Sequence, residues 1–155
     1  MDFQNYLSFL NELGQTFDKI SELERGKIQA VREGDLDVLN DCIRREQALS
    51  LAVRGADQKR ERLMRELGLR DVPLRQLPEI CPPEYRAETK QVVDSVRQRY
   101  EVLANSRKAA RTVLECGLHK LENQLKACGI EPELDTRYQP GSGELPPRLR
   151  TDFQA

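Results

Sequence analysis

The sequence has no tryptophan and a single histidine, His119. Aromatic residues make up only 5% of it, which suits elongated helices with solvated faces better than a thick globular core. Catalysis commonly needs a nucleophile, a base and an orienting group held together, and one histidine gives little to build that from. Glycine-rich phosphate loops and paired-carboxylate motifs are missing, as are basic stretches interleaved with aromatics of the kind that hold single-stranded nucleic acid. A non-enzymatic role without cofactor or nucleic acid is therefore expected.

Close cysteine pairs are also missing. Cys42, Cys81, Cys116 and Cys128 are scattered, which reads as free thiols in a reducing compartment. Cys116 and His119 share a helix face at i and i+3, but no second ligand pair completes a metal site, so none is expected. No apolar run approaches the ~18 residues of a membrane span, and the first residues show no basic signal-like stretch. The expectation is a cytoplasmic chain. Its net charge of −1 gives no general drive toward DNA or anionic lipid.

What the chain does have is charge, at 33% of residues, arranged around helical apolar stripes. The longest stripe runs from Pro83 to Cys128, opened by Pro82-Pro83-Glu84 and closed by Gly129. Tyr85, Val92, Val96, Tyr100, Leu103, Ala110, Leu114, Leu121 and Leu125 fall on one face of it. Unbroken, such a helix is about 69 Å long at ~1.5 Å per residue.

Two shorter helices precede it. The spacing of Phe3, Tyr6, Leu10, Leu13, Phe17, Ile20 and Val31 predicts a helix over 3–31, weakened locally by Gly14 and Gly26. Gly34-Asp35 supplies a stop and an N-cap. Leu36, Leu39, Ile43, Leu49, Val53, Leu63 and Leu67 then mark a second helix of about 48 Å, ending at Gly68. So short a turn makes the pair antiparallel, with Glu24 facing the Arg44 region and Lys27 the Asn40-Asp41 region. That gives the seam a polar middle, either as a register-fixing layer or as a flared, hydrated gap. The basic run Lys59, Arg60, Arg62 and Arg65, interrupted by Glu61 and Glu66, reads as a solvated face rather than a phosphate patch.

A linker over 71–78, with one short turn beginning at Pro73, brings the long helix back beside the second. The fold class is all-α: an elongated antiparallel hairpin plus a long third helix, a coiled-coil-like three-helix bundle over 1–128, with a flexible, disordered tail over 129–155. About a third of the long helix overhangs, roughly residues 115 to 128, so Leu118, Leu121 and Leu125, with Leu114 at the root, lack an internal partner. Three other fates stand beside an open binding face: a break at Gly117, pairing with a second copy, or cover by the tail. The tail carries Pro132, Pro140, Gly141, Gly143, Pro146 and Pro147 with spaced apolar residues Leu134, Tyr138, Leu145, Leu149 and Phe153, a pattern of short recognition elements on an arm.

Several blocks in order resemble the FlgN-like flagellar type III export chaperones. These are Arg32-Glu33-Gly34-Asp35-Leu36-Asp37-Val38-Leu39, then Arg45-Glu46-Gln47-Ala48-Leu49, then 59–69, then the region of Leu103 and Asn105, then Tyr138 followed by Gly141 and Gly143. The family often shows two asparagines in its long helix, whereas here Asn105 is followed by Ser106, Arg107 and Lys108. The resemblance implies a cytoplasmic chaperone that binds C-terminal segments of hook-filament junction (hook-associated) proteins, prevents premature assembly and brings them to the export gate or its ATPase complex. On that reading Leu114, Leu118, Leu121 and Leu125 take up a client helix, and Tyr138 contacts the export gate. The competing reading is a homodimeric coiled-coil adaptor using the same leucines.

Overall fold

The computed structural model describes residues 2–130 and Phe153. Among them every regular element is helical: α1 (Phe3–Glu33), α2 (Leu36–Glu66), a short α3 (Leu77–Ile80) and the long α4 (Arg86–Ala127). Single 3-10 turns at Leu74–Gln76 and Pro83–Tyr85 lead into the last two. The all-α bundle expected from periodicity is what forms, and no helix of the described residues is long and apolar enough to cross a membrane.

The helix ends follow local chemistry. Asp2 accepts a hydrogen bond from the Gln4 N–H and Asp35 from the Val38 N–H, so each long hairpin helix starts on an aspartate cap. Gly34 sits at φ 69°, and Asp35 N–H closes back on the Ala30 carbonyl at 2.9 Å. That left-handed closure favours glycine, and Gly68 and Gly129 repeat it after α2 and α4. Gly117, considered as a break point, interrupts nothing: α4 is a single helix, about 63 Å long at ~1.5 Å per residue.

The arrangement differs from expectation in one respect. The long helix was expected to lie along α2, but α4 packs mainly on α1 and runs parallel to it. Phe17 meets Tyr100 edge-on at 5.7 Å, Asp18 meets Arg99 and Glu24 meets Arg107, a constant offset along both helices. Because α1 is the middle helix, it buries two faces. Leu7, Phe9, Ser21, Glu24, Lys27 and Ala30 join the expected seam residues inside, all but Val31, which is half-buried.

Gly14 and Gly26, expected only to weaken α1, mark close helix approaches. A Cβ at Gly14 would lie 3.0 Å from Arg99 of α4, and one at Gly26 would lie 3.0 Å from the Cys42 sulfur of α2. The apolar core fills the end of the bundle where α1 begins and α4 begins, capped by Leu69, Leu74, Leu77 and Cys81 from the connection.

α2 required the largest revision. Its expected apolar seam is only partly inside: Val53 and Leu63 are buried, Leu39, Ile43, Leu49 and Leu67 half-buried, and Leu36 is 70% exposed. The buried stripe is Cys42, Glu46, Ser50, Val53, Asp57, Arg60 and Met64, a mostly polar face at the same helical spacing. The partners explain this in two parts: Glu46 meets Lys27 of α1, while Asp57 and Arg60 pair with each other further along.

Candidate functional site: a projecting helix face, a buried polar layer and an aromatic slot

α4 outruns the hairpin. A Cβ on Gly117 would lie 3.5 Å from Val31 in the last turn of α1, so the projection begins just past Gly117, later than the residue 115 expected from sequence. It continues through Ala127, roughly 15 Å at ~1.5 Å per residue. On it Leu118 and Leu121 are 49% and 52% exposed, while Leu114 and Leu125 are half-buried. The four leucines share one face, but only two of them, Leu118 and Leu121, are exposed, each by about half. Leu36 and Val38, at the start of α2, are exposed at the same end of the molecule.

Toward the middle of the bundle the core turns polar. Lys27 is in direct contact with Glu46 and lies 2.9 Å from Glu24, and Arg107 of α4 reaches Glu46 at 3.5 Å and donates to Ser50 at 3.2 Å. Glu24 and Lys27 were expected opposite Arg44 and Asn40-Asp41. Those residues are exposed on the outer side of α2, and both α1 side chains meet Glu46 instead, two residues beyond Arg44 and five or six beyond Asn40-Asp41. Of the two sequence alternatives, a closed layer forms rather than a flared gap. Arg107 is the member that sequence reading missed, although Leu103, Arg107 and Ala110 are spaced four and three apart, which places it on the inner stripe of α4.

The layer holds an extra proton. Burial, followed by the neighbouring Glu46, pushes the Glu24 carboxyl from 4.5 up to about 8. For Glu46, burial acts in the same upward direction, but hydrogen bonds from Glu24 and Lys27 outweigh it and hold the group below its ordinary value. Burial also works against the charge on Lys27, and contacts with both glutamates overcome it and raise its pKa. Near neutral pH the arrangement is thus a protonated Glu24 shared with an ionised Glu46 between two cations. Buried polar layers of this kind can fix the register of a helical seam.

The third feature is at the level of Tyr100. Phe153 is 2% exposed, with its ring 5.7 Å from both Phe17 and Tyr100 and 5.5 Å from the guanidinium carbon of Arg60. An open cavity of about 500 Å³ continues beside it, lined by Asp94, Arg97, Gln98, Glu101 and Ala104. Sequence reading put Phe153 on the arm and Arg60 on a solvated face, and the structure buries both. Arg60 was legible: Val53, Asp57, Arg60 and Met64 are spaced four, three and four apart, which places it on the inner stripe. Arg62 and Arg65 are exposed as expected, and Lys59 lies over the Phe9 ring at 5.2 Å.

Comparison with family models, curated proteins and solved structures finds no match.

Of the remaining sequence candidates, Leu103 is fully buried in the core and Asn105 is exposed. Cys116 and His119 are exposed on α4, and all four cysteines are free. Tyr138 lies outside the described residues, as does the rest of the tail over 131–152 and 154–155.

Proposed function

We propose that the protein is a non-enzymatic chaperone of the flagellar export type, which holds an amphipathic segment of a client protein on the projecting part of α4. One observation carries the reading: Leu118 and Leu121 stand half-exposed on a helix that extends past its supporting hairpin. The geometry matches helix-in-groove recognition, in which apolar anchors at three- and four-residue spacing take up a partner helix. Fully burying a leucine is worth ~1.5–3 kcal/mol, so covering the exposed halves of Leu118 and Leu121 yields roughly 1.5–3 kcal/mol gross, with a smaller addition from Leu114 and Leu125. The leucines alone support a weak complex, and a longer client segment or contacts from the tail would add to it.

The similarity to FlgN-like chaperones supplies the partner class: C-terminal segments of hook-associated, hook-filament junction proteins, kept unassembled in the cytoplasm and passed to the export gate or ATPase complex, with Tyr138 as the gate contact. The deciding experiment measures light-scattering mass after size exclusion, for the protein alone and with such a segment. A defined complex that the double change Leu118→Asp, Leu121→Asp abolishes supports the chaperone. A homodimer unaffected by the segment and dissociated by the same change selects the adaptor reading, for which the same two exposed leucines would be the seam.

A further inference from the structure

The slot that holds Phe153 is built from three helices at once: Phe17 of α1, Arg60 of α2 and Tyr100 of α4. α2 and α4 both pack on α1 and have far less contact with each other, so the ring sits where two outer helices leave a channel over the middle one. Each wall contributes a distinct interaction. Phe17 meets the ring edge-on at 83°, Tyr100 stacks on it at 28°, and the Arg60 guanidinium faces it from α2. Arg60 is only 1% exposed, held by Asp57 at 3.3 Å on one side and covered by the ring on the other. The cavity beside the ring extends the channel along α4, with Asp94, Arg97 and Glu101 offering both signs of charge to a backbone.

We propose that this channel is a peptide-docking site whose resident ligand is the chain's own C-terminal segment, anchored by Phe153, so that any competing segment with an aromatic anchor enters only by displacing it. The connection reaches. From the end of α4 back to the level of Tyr100 is about 40 Å at ~1.5 Å per residue. The 22 residues between Ile130 and Phe153 span up to about 75 Å when extended at ~3.3–3.6 Å each. Tethering of this kind holds the ring near its slot at an effective concentration of roughly millimolar order, so one aromatic anchor suffices in cis where the same segment free in solution binds weakly. The site is separate from the Leu118–Leu121 face, and the inference goes beyond the chaperone reading: it stands or falls without reference to any client.

The test uses the full chain carrying Phe153→Ala and a labelled peptide of residues 144–155, with binding read by fluorescence anisotropy. The expected result is that the peptide binds the variant at least ten-fold more tightly than the wild type, whose slot is filled, and that the same peptide with alanine in place of its phenylalanine binds neither. Equal binding to both proteins, or none to a variant whose circular dichroism remains helical, overturns the proposal. Because the chain has no other tryptophan, Phe153→Trp gives a second reading. Its emission should be that of a buried indole and move to longer wavelength when excess wild-type peptide is added, and a solvent-exposed spectrum in the folded chain overturns the proposal. Light scattering guards the intramolecular assignment: a wild-type dimer that Phe153→Ala converts to monomer would place the ring in a second copy and overturn docking in cis.

Discussion

Lys27 of α1 and Glu46 of α2 form an ion pair inside the bundle, with side-chain exposures of 7% and 11%. Removing one partner of such a pair strands the other charge, a loss commonly of 3–5 kcal/mol. Lys27→Ala should therefore lower the urea unfolding free energy by about 3 kcal/mol. Replacement of Arg45, whose pair with Asp41 is exposed at 68% and 56%, should change it by less than ~0.5 kcal/mol. Similar losses for both would show that the layer is hydrated and contributes no register.

Stability should fall with rising pH through the range where Glu24 titrates. Its folded pKa, about 8, lies above the ordinary 4.5, so the folded state holds this proton better than the unfolded one. The resulting stabilisation is complete below pH 4.5 and lost as pH rises toward and through 8. Glu24→Gln keeps a donor for Glu46 and cannot ionise. It should flatten the slope between pH 5 and 8 and leave the variant more stable than wild type at pH 8. Parallel curves for the two proteins would refute the assignment. Glu46 acts with the opposite sign: its lowered pKa gives stability that is present above 4.5 and lost as pH falls through the folded value.

Leu118→Asp with Leu121→Asp touches exposed positions on a helix surface. Far-ultraviolet circular dichroism should be unchanged and the unfolding midpoint nearly so, within about 0.5 kcal/mol in free energy. Loss of partner binding in that background then reports on the surface and not on folding.

Gly34→Ala isolates a backbone effect. The residue sits at φ 69° with nothing within 4 Å of an added Cβ, so no clash contributes. A loss of roughly 1 kcal/mol is expected from the left-handed conformation alone. A change near zero would mean that the turn relaxes to another closure.

The fold was largely legible because three strong local signals agreed: apolar spacing in α1 and α4, the aspartate cap at Asp35, and glycine stops at Gly34 and Gly68. What periodicity does not encode is which helix faces which. The parallel pairing of α1 with α4 rests on contacts such as Phe17 with Tyr100 and Gly14 with Arg99, and no local pattern announces a partner so distant in sequence. On α2 the leucines misled. Leu36 is 70% exposed while Glu46, Asp57 and Arg60 lie inside: Glu46 faces Lys27 of α1, and Asp57 and Arg60 pair with each other beneath the Phe153 ring. Of the candidate site, the projecting leucines were readable from helix lengths. Phe153 was not, since it gains its role from residues far away along the chain; the place of Arg107 on the α4 stripe was readable, but its partners on α1 and α2 were not.

The central place of α1 also sets an order of events during synthesis. One of its buried faces belongs to α2, which follows directly, but the other waits for α4, whose matching residues lie some eighty positions downstream. At ~5–20 residues per second the ribosome leaves Phe17 and its neighbours without their α4 partner for roughly 4–16 s. The nascent α1–α2 hairpin is thus a sticky intermediate in every round of translation, and its yield in the cell should depend on how quickly the long helix emerges to cover it.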